Sequence, residues 1–180
     1  MKLRLFGLVI ALAYCGPSAA KADWEYTKWG MTPQQVVAAS KNVAKEDSTD
    51  PSPDSDGNVT KVVAPFKGGK FSFRAEFGFD AADKLASVTL VIYDKSAGLD
   101  THLELHGDAG AAANADLGMC HDLETAVNFA YGEPLFTGAN HIYAIQKWLD
   151  EKSKNNVKYT ALVEVGCYVQ YSVIKPAEAR

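Results

Sequence analysis

Residues 71–79 read Phe-Ser-Phe-Arg-Ala-Glu-Phe-Gly-Phe, which is the strongest strand pattern in the chain. Every odd-numbered position in this stretch is apolar, and every even-numbered position is polar or glycine. Successive side chains of a strand point to opposite faces of a sheet, so the alternation predicts a β-strand with one buried face. A sheet with one buried face needs a second layer to cover that face.

Further strands are predicted on both sides of this stretch in the chain. Residues 59–66 precede a turn at Gly68-Gly69, and residues 85–93 follow a polar turn at 80–84. Short turns of this composition between strand patterns are typical of antiparallel hairpins. Toward the C-terminus the sequence predicts three more strands, at about 141–149, 157–165 and 167–174.

A helix is predicted ahead of the first three strands. Thr32 is a favourable N-cap, Pro33 suits the first helical position, and Gln35 can reach back to the backbone of the cap in a capping box. From this start the helix is expected to extend to Ser40 or Ala44.

A second helix is predicted ahead of the last three strands, from 117 to 131. Its apolar residues recur every three or four positions, and Gly132 and Pro134 end it. The predicted order is therefore α-β-β-β-α-β-β-β. It describes an α+β domain in which an antiparallel sheet of about six strands packs against two helices, and its symmetry leaves open that the domain consists of two similar halves.

The first 22 residues predict export. A basic start and a mostly apolar run, residues 2–13, precede the small-x-small cleavage pattern Ala20-Lys21-Ala22. The apolar run is too short to span a bilayer, and no later segment is predicted to do so. The sequence thus predicts a cleaved signal peptide, residues 1–22, and a single periplasmic or secreted domain, residues 23–180.

Cleavage changes the charge of the chain. It removes three of the 18 basic residues and none of the 22 acidic residues, so the formal net charge goes from −4 to about −7. Nucleic acids and anionic membranes attract positively charged surfaces. The sequence therefore predicts no nucleic-acid partner.

Cleavage also removes Cys15 and leaves Cys120 and Cys167. Cys120 shares the apolar face of the second predicted helix with Leu123 and Val127. Cys167 lies on the apolar face of the last predicted strand. Both thiols are expected to point into the same core, and in an oxidising compartment this arrangement predicts a disulfide, with two buried free thiols as the alternative.

Two segments are predicted to lack helices and strands. Residues 46–58 are rich in Asp, Ser, Pro and Gly, which predicts a mobile surface loop. Residues 95–115 form a linker rich in Gly and Ala between the two sets of strands.

The linker contains the candidate metal ligands His102 and His106. Their spacing places both imidazoles on one side of either a helix or a strand, and Glu104 joins them only in a strand. With a third ligand, either His121 or Asp108, they could bind zinc or copper. Two solvated histidines on a polar loop are the alternative, and the sequence favours it.

No sequence motif of an enzyme is found: the chain has no G-x-S-x-G, P-loop or G-x-G-x-x-G pattern. It is therefore predicted to be a non-enzymatic module that binds an unknown envelope protein or a small ligand without a cofactor. Aromatic side chains are the residues that most often anchor such contacts. At least two of six rings are expected in one exposed patch: Trp24, Trp29, Trp148, Tyr159, Tyr168 and Tyr171.

Four short motifs resemble those of a group of small exported bacterial proteins. They are Trp-Gly-Met-Thr-Pro-Gln-Gln-Val at 29–36, Phe-Asp at 79–80 ahead of Lys84-Leu85, Tyr-Gly-Glu-Pro at 131–134 and Cys-Tyr-Val at 167–169. A helix followed by an antiparallel sheet is also similar to the folds of β-lactamase inhibitors and outer-membrane assembly lipoproteins. Those families act by binding other proteins, so the resemblance implies a binding function. This chain departs from the lipoproteins because Tyr14, rather than a small residue, precedes Cys15.

Overall fold

One antiparallel sheet of eight strands carries two helices on one of its faces in the described part of the chain. The computed structural model describes residues 24–49, 52–92, 117–162 and 166–174. The first half contains α1 (Pro33–Ala39), β1 (Lys45–Glu46), β2 (Val59–Gly68), β3 (Phe71–Phe79) and β4 (Leu85–Ile92). The second half contains α2 (Leu117–Tyr131), β5 (Phe136–Ala139), β6 (Tyr143–Asp150), β7 (Asn155–Leu162) and β8 (Gly166–Val173).

The order of the strands shows how the two halves join. In each half a helix is followed by four strands, and strands that are consecutive in the chain are hydrogen-bonded neighbours. The sheet order β1-β2-β3-β4-β8-β7-β6-β5 places the last strands of both halves, β4 and β8, side by side. The predicted α+β class, the antiparallel sheet and the two helices are therefore confirmed.

The predicted number of strands is wrong. Each half has four strands rather than three, because the sequence predicts neither β1 nor β5. β1 has two residues and β5 has four, and neither shows the alternation of buried and exposed residues that marks the longer strands. Pairing with β2 and β6, rather than their own sequence pattern, makes these segments strands.

The helices begin where the sequence predicts. Thr32 Oγ1 accepts a hydrogen bond from the backbone N–H of Gln35, and the Gln35 side chain accepts one from the backbone N–H of Thr32. This capping box starts α1 at Pro33 and satisfies backbone donors that a helix start leaves unpaired. α2 spans the predicted 117–131.

The apolar side chains of β3 lie beneath the helices. Phe77 pairs with Val62 of β2 and Val88 of β4, and all three side chains are fully buried. α1 contributes Val36 to this core, and α2 contributes Leu123. Both halves thus share one continuous hydrophobic core.

Residues 24–31 cross the middle of the helix-covered face. The centroid of the Trp24 ring lies 5.2 Å from that of Phe66 on β2 and 6.4 Å from that of Tyr171 on β8. Trp29 Nε1 donates a hydrogen bond of 2.9 Å to Asn155 Oδ1 on β7. This segment therefore contacts strands of both halves and holds them together.

The sulfur atoms of Cys120 on α2 and Cys167 on β8 lie at disulfide distance. Their Cα atoms are 5.6 Å apart, and both residues are buried. The hydroxyl of Tyr159 on β7 donates a hydrogen bond of 3.0 Å to the backbone oxygen of Cys120 and adds a second link between α2 and the sheet. The predicted pairing of a helix cysteine with a strand cysteine is therefore present.

Within the ranges that the structure describes, no helix is long and apolar enough to cross a membrane. The cysteine pair is compatible with an exported protein. The proposed signal peptide, residues 1–22, and the linker, residues 95–115, lie outside the described residues, so cleavage and export stay predictions.

Candidate binding surface

The sheet face opposite the helices is here called the open face, and a single row of side chains crosses it. The strand register aligns one residue from each of seven neighbouring strands in this row, from β2 to β5: Val63, Glu76, Thr89, Gln170, Lys158, Lys147 and Phe136. Residues aligned in this way on adjacent strands are close enough to interact. The row is mainly polar and ends at the β5 edge in an aromatic ring.

An ion-pair network occupies the open face of the first half. The Arg74 guanidinium lies 2.8 Å from Asp47 Oδ2 and 3.2 Å from Glu76 Oε1. Burial raises the pKa of Glu76, Arg74 lowers it, and Asp47 raises it further. Two carboxylates share one guanidinium in a partly buried position. Because these charged groups already pair with one another, they are poorly placed to bind a partner.

The loop between β1 and β2 is fastened to the open face by the Asp54 carboxylate. Its Oδ1 accepts hydrogen bonds of 2.9 Å from the backbone N–H groups of Asp56 and Asn58. Its Oδ2 accepts hydrogen bonds from the side chains of Ser87 at 3.3 Å and Gln170 at 3.1 Å. Part of the predicted loop 46–58 is therefore fixed to β4 and β8, while its mobility stays a prediction.

Gly78 on β3 makes room for this fastening. A Cβ atom at position 78 would lie 2.3 Å from Ser87 Oγ and 3.3 Å from the Asn58 Cβ. The first contact is closer than Cβ atoms come to other atoms and the second is tight, so a side chain here would displace the Ser87 hydroxyl that helps to hold the loop. The glycine in the alternating pattern of residues 71–79 thus allows the loop to lie close against the sheet.

Two lysines lie in the row next to the aromatic end. Burial lowers the pKa of Lys158, Asp56 and Asp54 oppose this shift, and Lys147 adds to it. Lys147 is exposed, and its Nζ lies 5.6 Å from the centroid of the Phe136 ring. This part of the open face therefore presents positive charge beside an aromatic ring.

The β5–β6 end of the sheet exposes a group of large apolar side chains, here called the apolar edge. It consists of Leu135, Phe136, Ile142 and Tyr143, with 76, 53, 54 and 38% of their surface exposed. The register places Phe136 and Tyr143 on the open face, in line with Ile145 and Lys147 of β6. Aromatic and aliphatic side chains left in water at one edge are typical of a contact surface.

The prediction that two of the six named rings lie in an exposed patch is wrong. Trp24, Trp148 and Tyr159 are buried, and the other three rings are partly buried. Trp148 Nε1 donates to the backbone oxygen of Gly132 at 2.9 Å, so its polar atom is satisfied beneath α2. Five of these rings build or border the core because they lie on the helix-covered face, whereas Tyr168 lies on the open face. Among the described residues, the exposed aromatic rings are instead Phe129, Phe136 and Tyr143.

The predicted metal ligands His102 and His106, with Glu104 and Asp108, lie outside the described residues. His121 at the start of α2 is exposed, and its Nδ1 lies 4.0 Å from Glu124 Oε2. Among the residues that the structure describes, no three His, Cys, Asp or Glu side chains are grouped to hold a metal ion. Zinc or copper binding therefore stays a prediction.

The raised pKa of Glu76 predicts a pH dependence of stability. The folded state binds the Glu76 proton more tightly than the unfolded chain, whose ordinary pKa is 4.5. The stabilisation from protonated Glu76 is therefore complete below about pH 4.5 and is lost as the pH rises through the folded pKa. We expect the free energy of unfolding of the wild type, measured with urea at a series of pH values, to show this loss, and that of Glu76→Gln to lack it. Glu133→Gln, at an exposed position, is the control and should keep the wild-type pH profile. Identical profiles for wild type and Glu76→Gln would contradict the assignment.

Comparison of the chain with protein-family models, curated proteins and solved structures finds no match. The resemblance to small exported proteins therefore stays a prediction, and the open face and the apolar edge are interpreted from their own residues.

Proposed function

We propose that the chain is a non-enzymatic module of the bacterial cell envelope that binds another protein through its apolar edge and the adjoining open face. The observation that carries this proposal is the exposure of Phe136 and Tyr143 on the same face of the β5–β6 hairpin, with Lys147 beside the Phe136 ring. Aromatic side chains next to a cation are the type of residue that contributes most to protein interfaces.

The geometry of these residues favours a protein over a small molecule as the partner. Small-molecule sites are concave and enclose most of the surface of the ligand. Leu135, Phe136 and Ile142 instead stand at an edge and a hairpin, each with more than half of its surface exposed. A partner protein with an apolar side chain for Phe136 and a carboxylate for Lys147 fits this surface best.

The chemistry of the fold is compatible with this function. The paired cysteines suit an oxidising compartment. The ion pairs of Arg74 are satisfied within the first half, which leaves the second half of the open face as the surface available for binding. We therefore locate recognition at β5 and β6 rather than across the whole sheet.

The test is crosslinking in the living cell with a photoreactive amino acid at position 143, followed by identification of the captured proteins. Capture is expected at 143 and not at position 43, because Val43 is also exposed but lies two residues before β1, at the opposite end of the sheet. In a binding assay with the captured protein, the double substitution Phe136→Ser and Tyr143→Ser should weaken affinity by at least about tenfold, which is ~1.4 kcal/mol.

Phe129→Ser is the matched control for this assay. Phe129 is the most exposed ring among the described residues, at 93%, but it lies on the outer side of α2. We expect this substitution to leave affinity unchanged. Equal affinity of the double variant and the wild type would contradict the proposed surface.

A further inference from the structure

The two edges of the sheet differ in how they are protected. β1 has two residues, Lys45 and Glu46, both charged. β5 has four residues, Phe-Thr-Gly-Ala at 136–139, with neither a charge nor a proline. Natural sheets use short strands, charges and prolines to stop edge strands from pairing with other chains. Both edge strands are short, but β1 also carries charges, whereas β5 has neither a charge nor a proline.

The register shows which backbone groups of β5 face outward. Asn140 donates its backbone N–H to the oxygen of Tyr143 at 2.9 Å, next to the pairs Ala139 with Ala144 and Gly138 with Ile145. Alternate residues of an antiparallel strand bond to the same neighbour. Residues 136, 138 and 140 therefore bond to β6, and the exposed residues Thr137 and Ala139 direct their N–H and C=O groups to the outer side, where the described chain places no strand.

We propose that β5 pairs with β5 of a second copy of this chain, antiparallel, about a two-fold axis at Gly138. This register pairs Thr137 of each copy with Ala139 of the other and forms four backbone hydrogen bonds. The strand carries no charge, so two copies meet without repulsion between like charges. An exposed sheet edge binds an extended segment as an additional strand. β5 of one copy is such an edge, and β5 of the second copy is such a segment.

The side chains near the axis suit this pairing. A Cβ atom at Gly138 would lie 3.1 Å from two atoms of the Phe136 ring, so the ring covers its own Gly138. In the dimer the two Phe136 rings therefore flank the axis on the open face. An axis perpendicular to the sheet keeps both open faces on the same side, and the two apolar edges become the centre of one continuous surface.

The small size of the contact determines its strength. A stable interface buries about 800 Å² on each partner, far more than a four-residue strand and its flanking side chains provide. The dimer is therefore expected to be weak and dependent on concentration. The dimer extends the proposed function because it brings the binding surfaces of two copies together. Its formation does not require the partner protein.

The test is sedimentation velocity of the full chain, expressed for export and purified with its disulfide intact, from about 5 µM to about 1 mM. The wild type should shift from monomer to dimer over this range. Ala139→Pro removes an outward N–H without touching the β6 ladder, so it should abolish the dimer and keep the thermal midpoint. Ala139→Ser keeps the N–H and should dimerise like the wild type.

Thr137→Lys is a second disrupting variant, because it places two like charges beside the axis of the dimer. It tests the proposed pairing if the Ala139→Pro variant does not fold. A wild type that is monomeric at every concentration would overturn the proposal, as would wild-type dimerisation of both disrupting variants. If the wild type is monomeric and Ala139→Pro loses a crosslinked envelope protein, that protein supplies the added strand and the second copy is ruled out.

Discussion

Replacing Cys120 and Cys167 together by alanine is expected to lower the free energy of unfolding by about 4 kcal/mol, because the bond closes a long loop in the unfolded chain. The two cysteines are 47 residues apart in sequence, and they connect α2 to β8. Besides Cys120, the described part of α2 buries two apolar side chains, Leu123 and Val127. A helix with so small a buried face depends on its covalent link to the sheet.

The measurement is urea unfolding of the wild type and of the double alanine variant, each with and without reductant. Reduction should destabilise the wild type by a similar amount and leave the double variant unchanged. A wild type whose unfolding midpoint is insensitive to full reduction would show that α2 is held by packing alone.

The long strands and both helices could be predicted from the sequence because their signals are local. The pattern of residues 71–79 alternates without a break, and the Thr32 cap specifies its own helix start. β1 and β5 could not be predicted in this way, since two and four residues are too few for a pattern. They become strands because β2 and β6 offer free edges on which they can pair.

The candidate site was harder to predict than the fold, because exposure depends on which face of the sheet the helices cover. Tyr159 and Tyr143 both lie in predicted strands, yet one is buried beneath α2 and the other is exposed at the apolar edge. The position of the Asp54 loop depends equally on tertiary contacts with Ser87 and Gln170. A local signal did exist there, since Asp side chains commonly accept hydrogen bonds from backbone groups two residues on.

Phe77→Ala is expected to destabilise the protein by about 3–5 kcal/mol, the range for removing a large buried aromatic side chain. Phe77 is fully buried in the middle of the sheet, and its ring centroid lies 5.7 Å from that of Trp24 and 6.2 Å from that of Tyr26. The cavity would therefore loosen both the core of the first half and the N-terminal segment that crosses to the second half. This coupling predicts that the whole sheet of the variant still unfolds cooperatively, at a lower midpoint, rather than one half unfolding alone.

The same substitution at Phe129 provides the control, because this ring is 93% exposed on α2. Phe129→Ala is expected to change the free energy of unfolding by less than about 0.5 kcal/mol. Fluorescence of Trp24 and the other tryptophans, followed in urea together with circular dichroism, measures both variants. Coincident transitions at a lower midpoint for Phe77→Ala are the expected result, because one core serves both halves. A Phe77→Ala variant with a first transition confined to tryptophan fluorescence would instead show that the N-terminal segment unfolds separately from the sheet, and that the two halves are held together by β4 and β8 alone.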